Sequence, residues 1–286
     1  MKKVVLITGT NSGFGYLTAK GAAERGHTVY ASMRNTESKN KVRADELNAI
    51  ENIQVIDFDV TDSSSVEKGV SQILEKEGRL DVLVNNAGYY GGGITESYSE
   101  HDVEAMFNVN LLGTWRTIKN ALPTMRNQGD GLIINISSGL GRFSAPFMTV
   151  YNSTKFAVEG LSEGLHYELR PLVVDVAIIQ PGAFPTEIFS KTANGSDAEV
   201  VEGYGDLANV PDQVGQGMMQ MFEQVKPNPQ MVPDAIFKLI DTPKGERPLR
   251  TVVDALTGEF VEQANENVKK DFDNFLTAFG MGAMLN

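Results

Sequence analysis

Tyr151 and Lys155 stand four residues apart, a spacing that stacks both side chains on one face of a helix. A free phenol titrates near ~10, so a tyrosine is a poor acid or base at neutral pH. An ammonium held beside it favours the phenolate and turns the tyrosine into a usable proton donor and acceptor. Ser138 lies upstream, just beyond the apolar run Leu132-Ile133-Ile134-Asn135-Ile136. A strand ending there, followed by a helix, would bring the Ser138 hydroxyl to the same reacting oxygen as Tyr151. Alone, Tyr-x-x-x-Lys most often marks a surface pair on a helix. The elements around it decide whether it does chemistry.

Those elements read as one soluble α/β domain over residues 1–286. Hydrophobic residues make up 41% and charged residues 22%, which fits a packed globular chain. No apolar run approaches the ~20 residues that span a bilayer. The run Val4-Val5-Leu6-Ile7 is too brief for an export signal, so the expected location is the cytoplasm. Without cysteine there are no disulfides, thiolate ligands or thiol nucleophile. His27, His101 and His166 lack metal-ligand spacing, so no metal is expected. A net charge of −12 argues against a nucleic-acid partner.

Along the chain, β-type apolar runs alternate with helical patterns, which specifies a doubly wound parallel sheet with right-handed crossovers. The first run leads directly into Thr8-Gly9-Thr10-Asn11-Ser12-Gly13-Phe14-Gly15 and then a helix. Strand, glycine turn, helix is the context of a dinucleotide site, where glycines admit a pyrophosphate against a helix N-terminus. The second strand ends in Ser32, Met33 and Arg34, with no carboxylate until Glu37. Arginine there suits a ribose 2′-phosphate, hence NADP, with NAD as the alternative and a solvated surface arginine as the plain reading. Asp59 is either an acceptor for an adenine amino group or a turn residue, and Asp62 or Thr61 caps the next helix.

The fourth strand runs into Asn85-Asn86-Ala87-Gly88, followed by a loop bearing Tyr89 and Tyr90. One helix is expected from Glu100 to Met125, although Asn108 and Asn110 are poor helix formers and predict a local opening of its ladder. The helix carrying Tyr151 is expected from about Thr149 to Leu169, and a strand from Val173 ends at Gln180-Pro181-Gly182. Residues 183–233 break the alternation and read as a helical lid, in which Met218, Met219, Met221 and Phe222 line a pocket or fill core. A closing strand near 249–253 and a helix within 258–286 follow. Phe260, Val261, Val268, Phe272, Phe275, Leu276 and Phe279 share one face of that helix, expected to pack on the body or a second subunit.

Together these motifs resemble the short-chain dehydrogenase/reductase family over roughly residues 3–190. The resemblance implies a Rossmann-like sheet of about seven strands and hydride transfer between a nicotinamide and a carbonyl or secondary alcohol carbon. It implies Tyr151 as proton donor and acceptor, Lys155 beside it, Ser138 on the substrate oxygen, and Asn110 holding a water. Gly9, Asn11, Ser12, Gly13, Phe14, Gly15, Ser32, Arg34, Asp59, Val60, Asn86, Ala87, Gly88, Pro181, Gly182 and Thr186 fall on its cofactor side, with Tyr151 and Lys155. Ser12 stands where many NADP-preferring relatives carry a basic residue, so cofactor choice rests on Arg34.

The expected substrate is a hydrophobic, bulky ketone or alcohol of the kind taken by steroid, retinoid or aryl-carbonyl branches. Ser138, Tyr89, Phe143, Phe147, Phe184 and Ile188, with Tyr204, are the expected pocket walls. A 3-ketoacyl thioester reductase is the alternative enzyme; it would want a basic entrance, for which Arg142 is the local candidate. A non-catalytic NAD(P)-sensing regulator is the alternative of another class, disfavoured because Ser138, Tyr151, Lys155 and Asn110 are all present. The resemblance also implies a homo-oligomer, dimer or tetramer, paired through the helices near 100–127 and 150–170.

Overall fold

Val4–Thr8 (β1) is buried along its whole length, as an aliphatic strand covered on both faces must be. Its alternation divides the interior: Val5 and Ile7 pack with Ala19 and Ala22, while Val4 and Leu6 pack with Val66, Val70 and Ile118. Each such side chain contributes roughly 1.5–3 kcal/mol on burial. The computed structural model describes residues 1–285 and is a three-layer sandwich of helix, sheet and helix.

After β1 come α1 (Gly13–Glu24), β2 (Thr28–Met33), α2 (Lys41–Asn48), β3 (Ile53–Asp57), α3 (Ser63–Glu77) and β4 (Val82–Asn85). Next are α4 (Glu100–Phe107), α5 (Thr114–Gln128), β5 (Gly131–Ile136), α6 (Thr149–Leu169) and β6 (Val174–Pro181). The chain closes with α7 (Ala198–Gly203), α8 (Val210–Val225), α9 (Met231–Asp241), β7 (Arg250–Val253) and α10 (Gly258–Ala278). All seven strands are parallel, in the order β3-β2-β1-β4-β5-β6-β7. Sheet growth reverses between β1 and β4, so a crevice opens at their carboxyl ends.

The long helix expected from Glu100 is not continuous. A π turn over Asn108–Gly113 separates α4 from α5, at the two asparagines that predicted an opening. Asp62, rather than Thr61, caps α3, accepting from Ser64 N at 2.9 Å. The helix carrying Tyr151 and Lys155, α6, spans the expected residues. The aromatic face of α10 is only partly covered: Val261 and Leu276 are buried, whereas Phe260, Phe275 and Phe279 are exposed. Among the described residues no helix is long and apolar enough to cross a membrane.

Candidate active site

The glycine turn is shaped by what lies against it. Gly9 has φ +70°, and a Cβ there would sit 2.8 Å from Ala87 Cα, so the residue must be glycine for the β1 and β4 ends to touch. Asn86 Nδ2 donates to Thr8 O (2.8 Å) and Gly9 O (3.1 Å), while the Asn86 and Ala87 amides donate to Thr8 Oγ1 at 3.0 and 2.9 Å. The Asn-Asn-Ala-Gly motif thus holds the turn open. A cleft of about 290 Å³ beyond it is lined by Gly9, Asn11, Ser12, Gly13, Phe14, Arg34, Asp59, Val60, Asn86, Ala87, Gly88, Tyr89 and Thr186.

This cleft fits a dinucleotide. The first amides of α1 open onto it, Ser12 makes no side-chain cap that would occupy them, and the first turn of α1 carries no carboxylate. Arg34, largely exposed, stands 4.0 Å from Asp59 at the far end. Asp59 accepts from Thr61 N and Oγ1, so the turn reading of this residue is satisfied already. Lys39 also lines the cleft, a second cation that the sequence reading missed because nothing in its polar surroundings marks it. Ser32 lies elsewhere: it is fully buried, its hydroxyl is unpartnered, and only its carbonyl serves the turn by accepting from Thr10.

At the inner end of the cleft stand Ser138, Tyr151 and Lys155. The chain leaves β5 in extended conformation at Ser138, whose Oγ accepts from Leu140 N at 3.1 Å. Tyr151 sits in the first turn of α6, buried, with Lys155 one turn later, also buried. Lys155 Nζ donates to Ile136 O at 2.8 Å and lies 5.7 Å from the centre of the Tyr151 ring. Burial pushes the Tyr151 phenol well above its ordinary range, and the Ser138 hydroxyl pulls it back. Burial likewise lowers the Lys155 ammonium to about 8, with Glu159, one turn further along α6, opposing the change. In the protein by itself burial therefore outweighs the lysine's expected effect on the phenol.

Asn110, on the π turn, is a clamp. Its Nδ2 donates to Tyr89 O (3.1 Å) and Thr154 Oγ1 (3.0 Å), and its Oδ1 accepts from Tyr89 N (3.1 Å). Both amide hydrogens are engaged with protein, so the side chain joins the Tyr89 loop to α6 and has no hydrogen left for a water. A second amide chain, Thr117–Asn85–Asn135–Ser162, runs buried from α5 through β4 and β5 to α6. Behind Lys155, Glu159 accepts from Gln180 (2.9 Å) and Arg250 (2.8 Å), and Arg250 reaches Glu163 (3.0 Å). This network fastens α6 to β6 and β7.

Beside Tyr151 opens a cavity of about 320 Å³, continuous with the cleft at Phe14, Asn86, Gly88, Tyr89, Thr186 and Ile188. Ser138, Phe143 and Phe184, expected as pocket walls, line it, together with Tyr151 and with Lys155, Pro181 and Gly182, which were expected on the cofactor side; Phe184 packs edge-on against Phe14 at 5.6 Å. Phe147 does not; it lines a neighbouring groove. Tyr204 is on the surface, its hydroxyl donating to Glu96. Tyr90, edge-on to Tyr151 at 5.2 Å, and Asp254, Thr257 and Val261 complete the wall. The last three come from the far end of the chain, where spacing along the sequence gives no hint of proximity.

Comparison with known proteins agrees with this geometry. The model of the short chain dehydrogenases matches residues 3–197. A "3-ketodihydrosphingosine reductase" of Bacteroides thetaiotaomicron is 42% identical over 185 residues, 64% of this chain and 65% of the relative's own length. Among solved structures, a short-chain dehydrogenase from Streptomyces avermitilis superposes with TM-score 0.78 at 30% identity, covering 99% of both chains. A short chain dehydrogenase/reductase from Burkholderia phymatum in complex with NAD superposes with TM-score 0.77 at 25% identity, covering 94% of this chain and 95% of the other.

Proposed function

Because the chain belongs to the short-chain dehydrogenase/reductase family, we propose that it is an NADP-dependent oxidoreductase acting on an apolar ketone or its secondary alcohol. The observation that carries this reading is the buried Ser138–Tyr151–Lys155 set at the junction of a dinucleotide cleft and an apolar cavity.

Bound nicotinamide would supply or accept the hydride; the protein supplies placement and electrostatics. The Ser138 hydroxyl orients the substrate oxygen. Tyr151 delivers its proton to that oxygen in reduction and recovers it in oxidation. A phenol raised by burial holds its proton firmly until the carbonyl oxygen gains negative charge, and the Lys155 ammonium then stabilises the phenolate left behind. Asn110 keeps the Tyr89 loop in register with α6, and Thr186 stands over Gly13 at the mouth of the cleft.

Arg34 and Lys39 favour a 2′-phosphate, and so NADP over NAD. The relative named for reducing 3-ketodihydrosphingosine supports a ketone as the substrate. A carrier-bound 3-ketoacyl thioester is less well served. Arg142, the basic residue that would meet an acidic carrier, is mostly buried and donates to Asn265 at 2.8 Å. A sensor without turnover would not need the buried Ser138–Tyr151–Lys155 set. Exposed Leu112, Trp115 and Phe156 support pairing of two copies through this side, and a cytoplasmic location remains part of the proposal.

The test is Tyr151→Phe assayed by ketone-dependent NADPH oxidation. Turnover should fall by at least about a hundredfold, the lower end of what a positioned acid–base group contributes. NADPH binding followed by fluorescence should change little. Undiminished turnover in the variant would overturn the assignment of Tyr151.

A further inference from the structure

The reaction cavity does not end at its own wall. A groove of about 840 Å³ adjoins it, and the two share Tyr90, Met148, Phe189 and Met218. We propose that this groove binds the unbranched hydrocarbon chain of the substrate, making the enzyme selective for long-chain ketones. The inference rests on the reductase reading of the same site.

Size makes the first argument. A cavity of about 320 Å³ stands at the lower end of the ~300–1,000 Å³ range of ligand pockets. It has room for the carbonyl-bearing segment of a substrate beside a nicotinamide, and the adjoining groove more than doubles the space. The additional space lies between the loop at Gly92–Ile94 and the segment from Thr192 to Gln220.

Chemistry makes the second argument. Ile94, Phe147, Val201, Pro211, Val214 and Met219 give the groove an apolar stretch, bordered by Ser97, Thr192, Asn194, Ser196, Gln216 and Gln220, and Val214 and Met219 are exposed in it. No lysine or arginine occurs among the described residues lining it, and Asp212 is present. The Asp212 carboxylate and the apolar stretch favour an uncharged chain over a carboxylate. The passage is adaptable as well. Phe189 and Tyr90 stand edge to face at 5.4 Å, and the flanking Met148 and Met218 have unbranched side chains that reshape easily. A chain attached to a carbon held at Tyr151 would pass between these four residues, because Tyr90 touches both Tyr151 and Phe189.

Two glycines of α8 give a matched test. Gly215 lines the groove and Gly217 does not, and a Cβ at either meets nothing within 4 Å. Both replacements by phenylalanine also remove a helix-interior glycine, so neither should harm folding. The experiment measures kcat/KM with NADPH for 2-butanone, 2-hexanone, 2-octanone and 2-decanone in wild type, Gly215→Phe and Gly217→Phe. Calorimetric binding of 2-butanone and 2-decanone to each protein with NADP⁺ runs alongside.

In wild type each added methylene should raise kcat/KM by up to about fourfold, the equivalent of ~0.8 kcal/mol per buried CH₂. Gly217→Phe should keep that slope. In Gly215→Phe the ratio of 2-decanone to 2-butanone should collapse toward one. A wild-type slope of zero, or one that survives in Gly215→Phe, would overturn the groove while leaving the reductase standing. Should no ketone turn over, the reductase reading fails and the binding arm decides the groove: length-dependent affinity lost in Gly215→Phe retains it, and length-independent affinity removes it.

Discussion

Replacing Lys155 by methionine separates what the residue costs the fold from what it does for the reaction. Its ammonium is buried, and burial lowers it from the usual 10.5 to about 8. Folding therefore disfavours the charged form of this residue. The sign follows from a folded value lying below the unfolded one. The penalty is fully present below about 8, shrinks as pH rises from there toward 10.5, and vanishes above. At about 1.4 kcal/mol per pH unit, the penalty is ~3 kcal/mol near pH 7 and ~1.5 kcal/mol near pH 9.5.

Methionine has a similar volume, no charge, and no bond to Ile136 O; losing the bond of the neutral amine offsets part of the gain by about 0.5–1.5 kcal/mol, the charged part being already contained in the lowered ammonium. The offset does not depend on pH, so the decisive quantity is the change with pH rather than the absolute difference. Urea unfolding of cofactor-free wild type and Lys155→Met should show the variant's relative stability falling by about 2 kcal/mol between pH ~7 and ~9.5. The range stops short of the unfolded tyrosine's titration, so the raised Tyr151 phenol does not intrude. The variant should have no measurable turnover at either pH. A stability difference that stays constant between the two pH values would refute the claim that Lys155 is held charged against its own burial.

Other perturbations probe the remaining parts of the site. Arg34→Asp combined with Lys39→Ala should shift the ratio of kcat/KM for NADPH over NADH toward NADH by at least tenfold, about 1.4 kcal/mol; an unchanged ratio removes the 2′-phosphate role. Arg250→Met leaves Glu163 without its guanidinium partner and Glu159 with only the more distant Arg142 at 4.0 Å, and loss of one member of a buried pair costs up to about 3–5 kcal/mol. Thermal unfolding would show that as a clear drop in Tm, partly restored by adding Glu159→Gln. A drop worth less than about 1 kcal/mol would mean the network contributes little to docking β7 on α6.

Much of the fold was legible because its signals are local. Continuous aliphatic runs announced strands buried on both faces, and the glycines between β1 and α1 announced a backbone that must approach something closely. Even the π turn left a trace, since two asparagines inside an apolar helical pattern are poor helix formers. The functions of those asparagines were less legible. Nothing in the spacing shows that Asn110 clamps the Tyr89 loop to Thr154, or that Asn85 and Asn135 bond across neighbouring strands. Those pairings depend on strand order, which places β4 against β5 although some 50 residues separate their amides.

The substrate side was harder to read for a related reason. The family match ends at residue 197, and the walls contributed by Asp254, Thr257 and Val261 lie beyond it. Phe147 and Tyr204 looked equivalent to Phe143 as aromatic wall candidates, yet one faces the adjoining groove and the other the surface. Aromatic character states only that a side chain gains from burial; it does not state against what. Geometry resolves this: α8 and the Gly92–Ile94 loop line the same groove, leaving Met218 between two spaces and Phe222 packed 5.6 Å from Phe189. On the proposed reading, reaction class and substrate range have separate physical origins: the first in buried groups fastened through the sheet, the second in Phe189, Gly215 and Met218, which follow β6 and take no part in the hydrogen bonds of Ser138 and Lys155.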